Sequence, residues 1–154
     1  MKIISHRGNI KGPVLDKENR PSYIDCAIQL GYEVEVDLRF ENGEFWLGHD
    51  KSQYKIEKKW AYLRKENIWF HCKDIYSCLE LTKTGENFKY FCHHNDNYVV
   101  TSTGKIWVHD LSKTIDDNCI IPLISLEDIR KYKNSIPYGI CTDYVNEIKS
   151  INFF

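Results

Sequence analysis

Residues 32–40 alternate apolar and charged side chains at every position, which predicts a β-strand with two faces of opposite character. The apolar face consists of Val34, Val36, Leu38 and Phe40, and the charged face of Glu33, Glu35, Asp37 and Arg39. The dipeptide Asn42-Gly43 comes next, and it is typical of a two-residue hairpin turn. In an antiparallel sheet the charged face usually meets solvent, whereas a parallel barrel buries both faces. The role of these charges therefore depends on the class of sheet.

Strand and helix patterns alternate along the rest of the chain. Strands are predicted over residues 2–5, 44–48, 68–73, 88–93, 98–101, 105–109, 119–124 and 138–142, and helices over 21–30, 58–66, 75–84 and 125–132. Asn19 is predicted to cap the first helix, Asp74 the third, and Ser125 with Asp128 to form a capping box for the last. This alternation favours an α/β fold with a largely parallel sheet or barrel.

The length limits how complete such a barrel is. A (β/α)₈ barrel usually takes about 250 residues, whereas this chain has 154. We therefore expect a reduced TIM-type (β/α) barrel in which some helices are missing or replaced by loops. We expect residues 1–154 to form one domain.

The charge balance and the cysteines narrow the classes of partner and compartment. The chain has 21 basic and 22 acidic residues, so we expect no nucleic-acid or anionic-lipid partner. We find no apolar run long enough for a secretory signal or a membrane span, and we expect a cytoplasmic protein. Six cysteines without a Cys-x-x-Cys spacing are expected to be reduced core residues.

Polar groups stand at or near the ends of three predicted strands, the position at which barrels carry their active sites. They are His6-Arg7-Gly8, Glu35-x-Asp37 and His49-Asp50. Because Glu35 and Asp37 share one face of a strand, they suit a hard cation such as Mg²⁺ or Ca²⁺. The hairpin brings His49 beside them, provided that strand pairing ends or twists near Gly48.

The remaining histidines give weaker indications of a functional site than His6 and His49 do. His93 and His94 are adjacent on a predicted strand, so their side chains point to opposite faces, and residues 95–97 with Asp96 are typical of a turn. For Trp107 and His109 we favour a role in the wall of a site or in the core. A zinc-dependent hydrolase using His71, His93 and His94 is the weakest interpretation, because the chain lacks a zinc spacing such as His-Glu-x-x-His.

The strand-end groups and the residues between them also resemble a known family. In order along the chain they are His6-Arg7-Gly8, Glu18-Asn19, Ala27, Gly31, Glu35-x-Asp37, Asn42-Gly43 and His49-Asp50. Their order and spacing resemble the N-terminal signature of the glycerophosphodiester phosphodiesterase family, within the phospholipase C-like phosphodiesterase superfamily. Residues 139–143 are similar to the last barrel strand of that family. The chain resembles a short, compact member.

The resemblance implies a metal-dependent phosphodiesterase that cleaves a small-molecule glycerophosphodiester to glycerol 3-phosphate and an alcohol. It implies that His6 and His49 are the catalytic acid/base pair. It further implies Glu35 and Asp37 as ligands of Mg²⁺ or Ca²⁺. Glu18 and Asn19 match a loop near the substrate, and Arg7 matches a phosphate contact.

One departure from the family pattern concerns the metal site. Members usually carry Glu-x-Lys on a middle strand, and the best match here is His71-Cys72-Lys73. His71 therefore takes the place of the third metal-binding carboxylate, while Lys73 is available to neutralise phosphate charge. The missing carboxylate and the short chain leave a second hypothesis open, a catalytically silent module that binds a phosphate ligand on the same barrel.

Overall fold

The computed structural model describes residues 1–112 and 115–151, which contain ten strands and five helices. The strands are β1 (Lys2–His6), β2 (Glu33–Glu41), β3 (Glu44–Leu47), β4 (Tyr54–Ile56), β5 (Ile68–Cys72), β6 (Lys89–Cys92), β7 (Tyr98–Val100), β8 (Ile106–Val108), β9 (Cys119–Pro122) and β10 (Gly139–Thr142). The helices are α1 (Pro21–Gln29), α2 (Lys58–Leu63), α3 (Ile75–Lys83), α4 (Leu126–Lys131) and α5 (Val145–Ser150).

Seven strands pair in parallel in the order β6-β5-β2-β1-β10-β9-β8. The strand β7 pairs antiparallel with β8, and β3 and β4 extend from the far end of β2 as an antiparallel ribbon. The two ends of the parallel path approach each other at Ser102, whose backbone N–H donates to the Tyr90 carbonyl at 2.8 Å and whose hydroxyl donates to the Phe88 carbonyl. The result is an α/β fold with a curled mixed sheet, consistent with a reduced barrel.

Both faces of β2 are buried over residues 33–38, as the barrel alternative requires. Val34, Val36 and Leu38 of β2 are fully buried in one core cluster with Ile24 of α1 and Leu81 of α3. The opposite face of β2 turns to the inside of the curl, and its acidic side chains are also buried. The charged alternation therefore marks the interior of a curled sheet and not a solvated face.

The hairpin between β2 and β3 has the predicted turn, and the strand pairing that it starts ends before His49. Asn42 and Gly43 have φ angles of 53° and 81°, as a type I′ turn requires. The β2–β3 ladder ends at the Leu38–Leu47 pair. Gly48 then turns with φ 150°, where an added Cβ would lie 2.1 Å from the Lys51 carbonyl oxygen. Because the strand pairing ends before His49, the direction of its side chain is not fixed by the alternation of the strand.

Two helix starts agree with the sequence, and two other helix ends do not. The side chains of Asp74 and Ser125 accept hydrogen bonds from the backbone N–H groups of Ser77 and Asp128, as predicted. The prediction that Asn19 caps α1 is wrong, because the N-cap is Arg20 and the Asn19 amide binds another partner inside the sheet. The helix α2 ends at Leu63, three residues earlier than predicted.

One of the expected missing helices lies between β6 and β7, where residues 93–97 connect the two strands without a helix. All six cysteines are free thiols, as expected, but Cys26 is exposed and does not belong to the core. Among the described residues, no helix is long and apolar enough to cross a membrane.

Candidate active site

Five candidate functional side chains meet at one end of the parallel sheet, where β1, β5 and β10 end and β2 continues toward its hairpin. They are His6 from β1, Glu35 and Asp37 from β2, His71 from β5 and Asp143 directly after β10. This is the end at which α/β barrels carry their active sites. His6, Glu35 and His71 line a cavity of about 340 Å³, together with Arg7 and a wall of apolar side chains.

Glu35, Asp37 and His71 form a cluster capable of holding a metal ion. One ligand atom from each lies within 4.8 Å of the others. The Nδ1 atom of His71 lies 3.5 Å from both a Glu35 oxygen and an Asp37 oxygen. One oxygen of each carboxylate, Glu35 Oε2 and the Asp37 Oδ1 that faces His71, is buried without a hydrogen-bond partner. Buried carboxylate oxygens are rarely left unpaired, so these atoms fit a bound divalent cation.

Positive and amide groups surround the Asp37 carboxylate. Arg7 Nε lies 2.8 Å and Lys73 Nζ 3.5 Å from its oxygens. The Asn19 amide donates to Asp37 Oδ2 at 2.8 Å and accepts from the Asp37 backbone N–H at 2.9 Å. Burial alone would raise the pKa of Asp37, but its contact with the His71 ring, the Arg7 charge and the Asn19 hydrogen bond outweigh burial and hold that pKa well below its usual range. Asp37 is therefore ionised at neutral pH.

His71 responds to the same carboxylates. Burial would lower its pKa, but the contacts with the Asp37 and Glu35 carboxylates outweigh burial and raise the pKa of His71 to about 9. Without a cation, a proton on His71 therefore neutralises part of the carboxylate charge. A cation bound to the cluster would take the place of that proton.

A buried hydrogen-bonded chain fixes the orientation of His6. His6 Nδ1 donates to Asp143 Oδ1 at 2.8 Å, which leaves Nε2 facing Glu35 at 3.8 Å. The Asn9 amide donates to the same Asp143 oxygen at 2.7 Å and to Glu18 at 2.9 Å. Burial would lower the pKa of His6, but the Asp143 hydrogen bond and the Glu35 charge outweigh it, so the pKa is raised. His6 is thus positioned to hold or transfer a proton at Nε2.

The loop that begins at Arg7 carries unusual backbone conformations. Arg7 and Asn19 have φ angles of 54° and 60°, in the left-handed region that non-glycine residues seldom adopt. The Asn19 N–H donates to the Arg7 carbonyl at 3.1 Å, and the Arg7 side chain pairs with Glu18 at 3.0 Å. The two strained residues therefore support each other and direct their side chains toward Asp37.

The structure places His49 apart from the His6 cavity. Its side chain is 44% exposed, and Nδ1 lies 2.7 Å from Asp50. His49 lines a second cavity of about 260 Å³ with Glu18, Asn19 and Arg7. Arg7 lines both cavities.

Sequence reasoning missed the contacts of Asn9 and Asp143, whereas Trp107 and His109 line the cavity wall, in agreement with the predicted wall or core role. Phe91 and Trp107 stack at 4.2 Å between ring centroids and line the His6 cavity. His109 stacks on His93 with 3.3 Å between ring centroids. Burial of His109, and after it the charges of the neighbouring histidines, lower the pKa of His109 to about 4. Asp143 lies just after a predicted strand, at the kind of position that singled out His6. Nothing local marks Asn9.

The fold of the chain is similar to that of a solved structure. Among solved structures, the chain is similar to the crystal structure of glycerophosphodiester phosphodiesterase from Agrobacterium tumefaciens, with 12% identity, 99% of each chain covered and a TM-score of 0.59. At this identity the likeness shows the fold alone. No family model and no curated protein matches the sequence.

Proposed function

We propose that this protein is a metal-dependent phosphodiester hydrolase of the glycerophosphodiesterase type, on a reduced (β/α) barrel. The observation that carries the proposal is the buried Glu35–Asp37–His71 cluster, which shares one cavity with a carboxylate-oriented histidine, His6. The fold likeness to a glycerophosphodiester phosphodiesterase supports the same class of reaction. The substrate is proposed to be a small-molecule diester and not a nucleic acid.

Phosphodiester cleavage requires charge neutralisation and two proton transfers, because the diester is anionic and its alkoxide leaving group is poor. Glu35, Asp37 and His71 would hold a divalent cation, which the resemblance implies to be Mg²⁺ or Ca²⁺, and the cation would supply positive charge to the phosphate. Arg7 and Lys73 add the fixed charges of the chain itself, since each lies at an Asp37 oxygen beside the cavity. Glu18 and Asn19 hold Arg7 and Asp37 in place.

The two histidines are proposed to move the protons. His6 presents Nε2 to the cavity because Asp143 accepts the hydrogen of Nδ1. Its raised pKa favours the protonated form and hence the role of the acid toward the leaving oxygen. His49 lines the neighbouring cavity, so a phosphate at Arg7 would have one histidine on each side. His49 is accordingly proposed as the base toward the attacking hydroxyl.

A phosphate-binding module without turnover is the second candidate function. The observation in its favour is the position of His49, which is half exposed and bound to Asp50. Such a protein would keep the cation, Arg7 and Lys73 and would lack a second proton-transfer group at the phosphate.

Turnover of a glycerophosphodiester by metal-stripped protein, with and without added divalent cation, tests the proposal. His6→Ala and His49→Ala should each lower turnover by about 10²–10⁴-fold, and the double variant should lose less than the product of the two. His94→Ala is the matched control, because His94 is exposed and does not line either cavity.

An activated nitrophenyl diester identifies the acid. Its leaving group departs without protonation, so His6→Ala should recover on it and His49→Ala should not. If the wild type turns over no diester with any cation and still binds glycerol phosphate, the hydrolase proposal is wrong and the binding module replaces it.

A further inference from the structure

We infer that the Glu35–Asp37–His71 site prefers first-row transition-metal ions such as Zn²⁺ and Co²⁺ over Ca²⁺ and Mg²⁺, because an imidazole nitrogen completes its ligand set. The inference rests on the proposed function for its assumption that this cluster binds the reaction's cation. It goes further by naming the chemical class of that cation.

His71 has the tautomer that a metal ligand needs. Its Nε2 atom lies 3.4 Å from the backbone carbonyl oxygen of His93, which can only accept a hydrogen bond. Nε2 therefore carries the hydrogen in the neutral ring, and the lone pair is on Nδ1, the atom that faces both carboxylates. Donation from the second ring nitrogen to a carbonyl is the usual support of a metal-bound histidine.

The ring of His71 is also fixed in orientation. It stacks on Phe91 with 4.8 Å between centroids and 12° between planes, and Phe91 in turn stacks on Trp107. Asp37, His71 and Phe91 are register partners on the neighbouring strands β2, β5 and β6. Because the three strands hold these side chains in one row, Nδ1 stays beside the carboxylates without a large rearrangement.

The number and type of ligands favour a transition metal. Glu35 and Asp37 are 3% and 0% exposed, and each has one buried oxygen without a hydrogen bond. Within the part of the chain that the structure describes, these two carboxylates and His71 form the whole ligand cluster. Ca²⁺ requires six to eight oxygens, whereas Zn²⁺ in catalytic sites takes three protein ligands and one open position. One nitrogen and two carboxylates match the second requirement.

The nearby positive charges do not alter this ranking. Arg7 and Lys73 lie at Asp37 and repel every divalent cation by the same electrostatic interaction. They weaken binding in general and leave the choice between cations to the ligand atoms, among which imidazole favours Zn²⁺ and Co²⁺.

Calorimetric titration of metal-stripped protein with Zn²⁺ and with Ca²⁺, at one fixed neutral pH, tests the inference. His71→Glu replaces the nitrogen by carboxylate oxygens, so the ratio of Zn²⁺ to Ca²⁺ affinity should fall by about 10–100-fold. His71→Gln removes the nitrogen without adding charge and should weaken Zn²⁺ binding at least about tenfold. The exposed His94→Ala variant controls for Zn²⁺ bound at other histidines and should leave the ratio unchanged.

Visible absorption of the Co²⁺-loaded protein gives a second readout that does not depend on activity. The spectrum should change in both His71 variants and stay the same in His94→Ala. Circular dichroism shows whether each variant folds, and His71→Gln decides the test if His71→Glu does not fold. An affinity ratio and a Co²⁺ spectrum that are both insensitive to His71 would overturn the inference.

Binding and turnover separate this inference from the proposed function. Zn²⁺ binding that depends on His71 without hydrolysis of any diester would refute the hydrolase and keep the metal preference. If the protein hydrolyses a diester and its ratio of Zn²⁺ to Ca²⁺ affinity does not depend on His71, the hydrolase proposal stands and the inferred metal preference is wrong.

Discussion

Replacement of Asn19 by alanine should destabilise the protein far more than loss of a helix cap. The Asn19 amide makes two hydrogen bonds to Asp37, one to the carboxylate and one from the backbone N–H, and Asn19 is 1% exposed. A hydrogen bond to a charged group contributes about 1.5–3 kcal/mol and a neutral one about 1 kcal/mol. Alanine at a φ of 60° adds about 1 kcal/mol of backbone strain. The expected loss is about 3–5 kcal/mol.

Asn19→Gly separates the two contributions. Glycine also removes both hydrogen bonds but adopts the left-handed conformation without strain, so it should be about 0.5–1 kcal/mol less destabilising than alanine. Asn95→Ala is the control, because Asn95 is exposed, and it should change stability by less than about 0.5 kcal/mol.

Urea unfolding followed by tryptophan fluorescence measures these differences, since Trp69 and Trp107 are buried in the sheet. The slope of the unfolding free energy with urea should be the same in all variants. A cost of about 1 kcal/mol for Asn19→Ala, the value expected of a helix cap, would refute the role of Asn19 at Asp37. So would a glycine variant less stable than the alanine variant.

Three further predictions concern the site and its wall. Asp143→Asn removes the charge that orients His6 and should lower kcat by about 10²-fold with little change in KM, and steady-state kinetics that show a loss in KM alone would contradict it. Glu35→Gln with Asp37→Asn should abolish the rise in melting temperature that a divalent cation gives the wild type, whereas a rise of equal size in the double variant would show binding elsewhere. The pKa of His109 is about 4 in the folded chain and has its ordinary value, about 6.5, in the unfolded chain. Because the unfolded chain then binds a proton more readily, the free energy of unfolding is highest above about pH 6.5 and decreases as the pH falls toward 4. In His109→Gln this decrease should be smaller by about 2–3 kcal/mol, as measured by the unfolding free energy at a series of pH values. If the pH dependence of the unfolding free energy is the same as in the wild type, the assignment to His109 is wrong.

The sequence predicted best those features that depend on neighbouring residues. The Asn42-Gly43 turn and the Asp74 and Ser125 caps each involve residues within a few positions, and all three are present. The alternation in β2 correctly placed Glu35 and Asp37 on one face. Whether that face is buried depended on the class of sheet, which single-strand periodicity cannot specify.

Contacts between distant parts of the chain were beyond this reasoning. His6 and Asp143 are 137 residues apart, and Asn9 and Asp143 are 134 apart. Asn19 preceded an apolar helical pattern and so resembled a cap, but the Asp37 carboxylate, 18 residues away, competes for its amide. Where a buried charge needs partners, tertiary hydrogen bonds prevail over local capping preferences.

The position of β1 between β2 and β10 has a consequence for how the chain matures during synthesis. Residues that leave the ribosome first supply β1, β2, β5 and β6, and with them Glu35, Asp37 and His71. One edge of β1 then stays unpaired until β10 emerges and brings Asp143 to His6. The hydrogen bond that orients His6 is therefore among the last contacts that the growing chain can form.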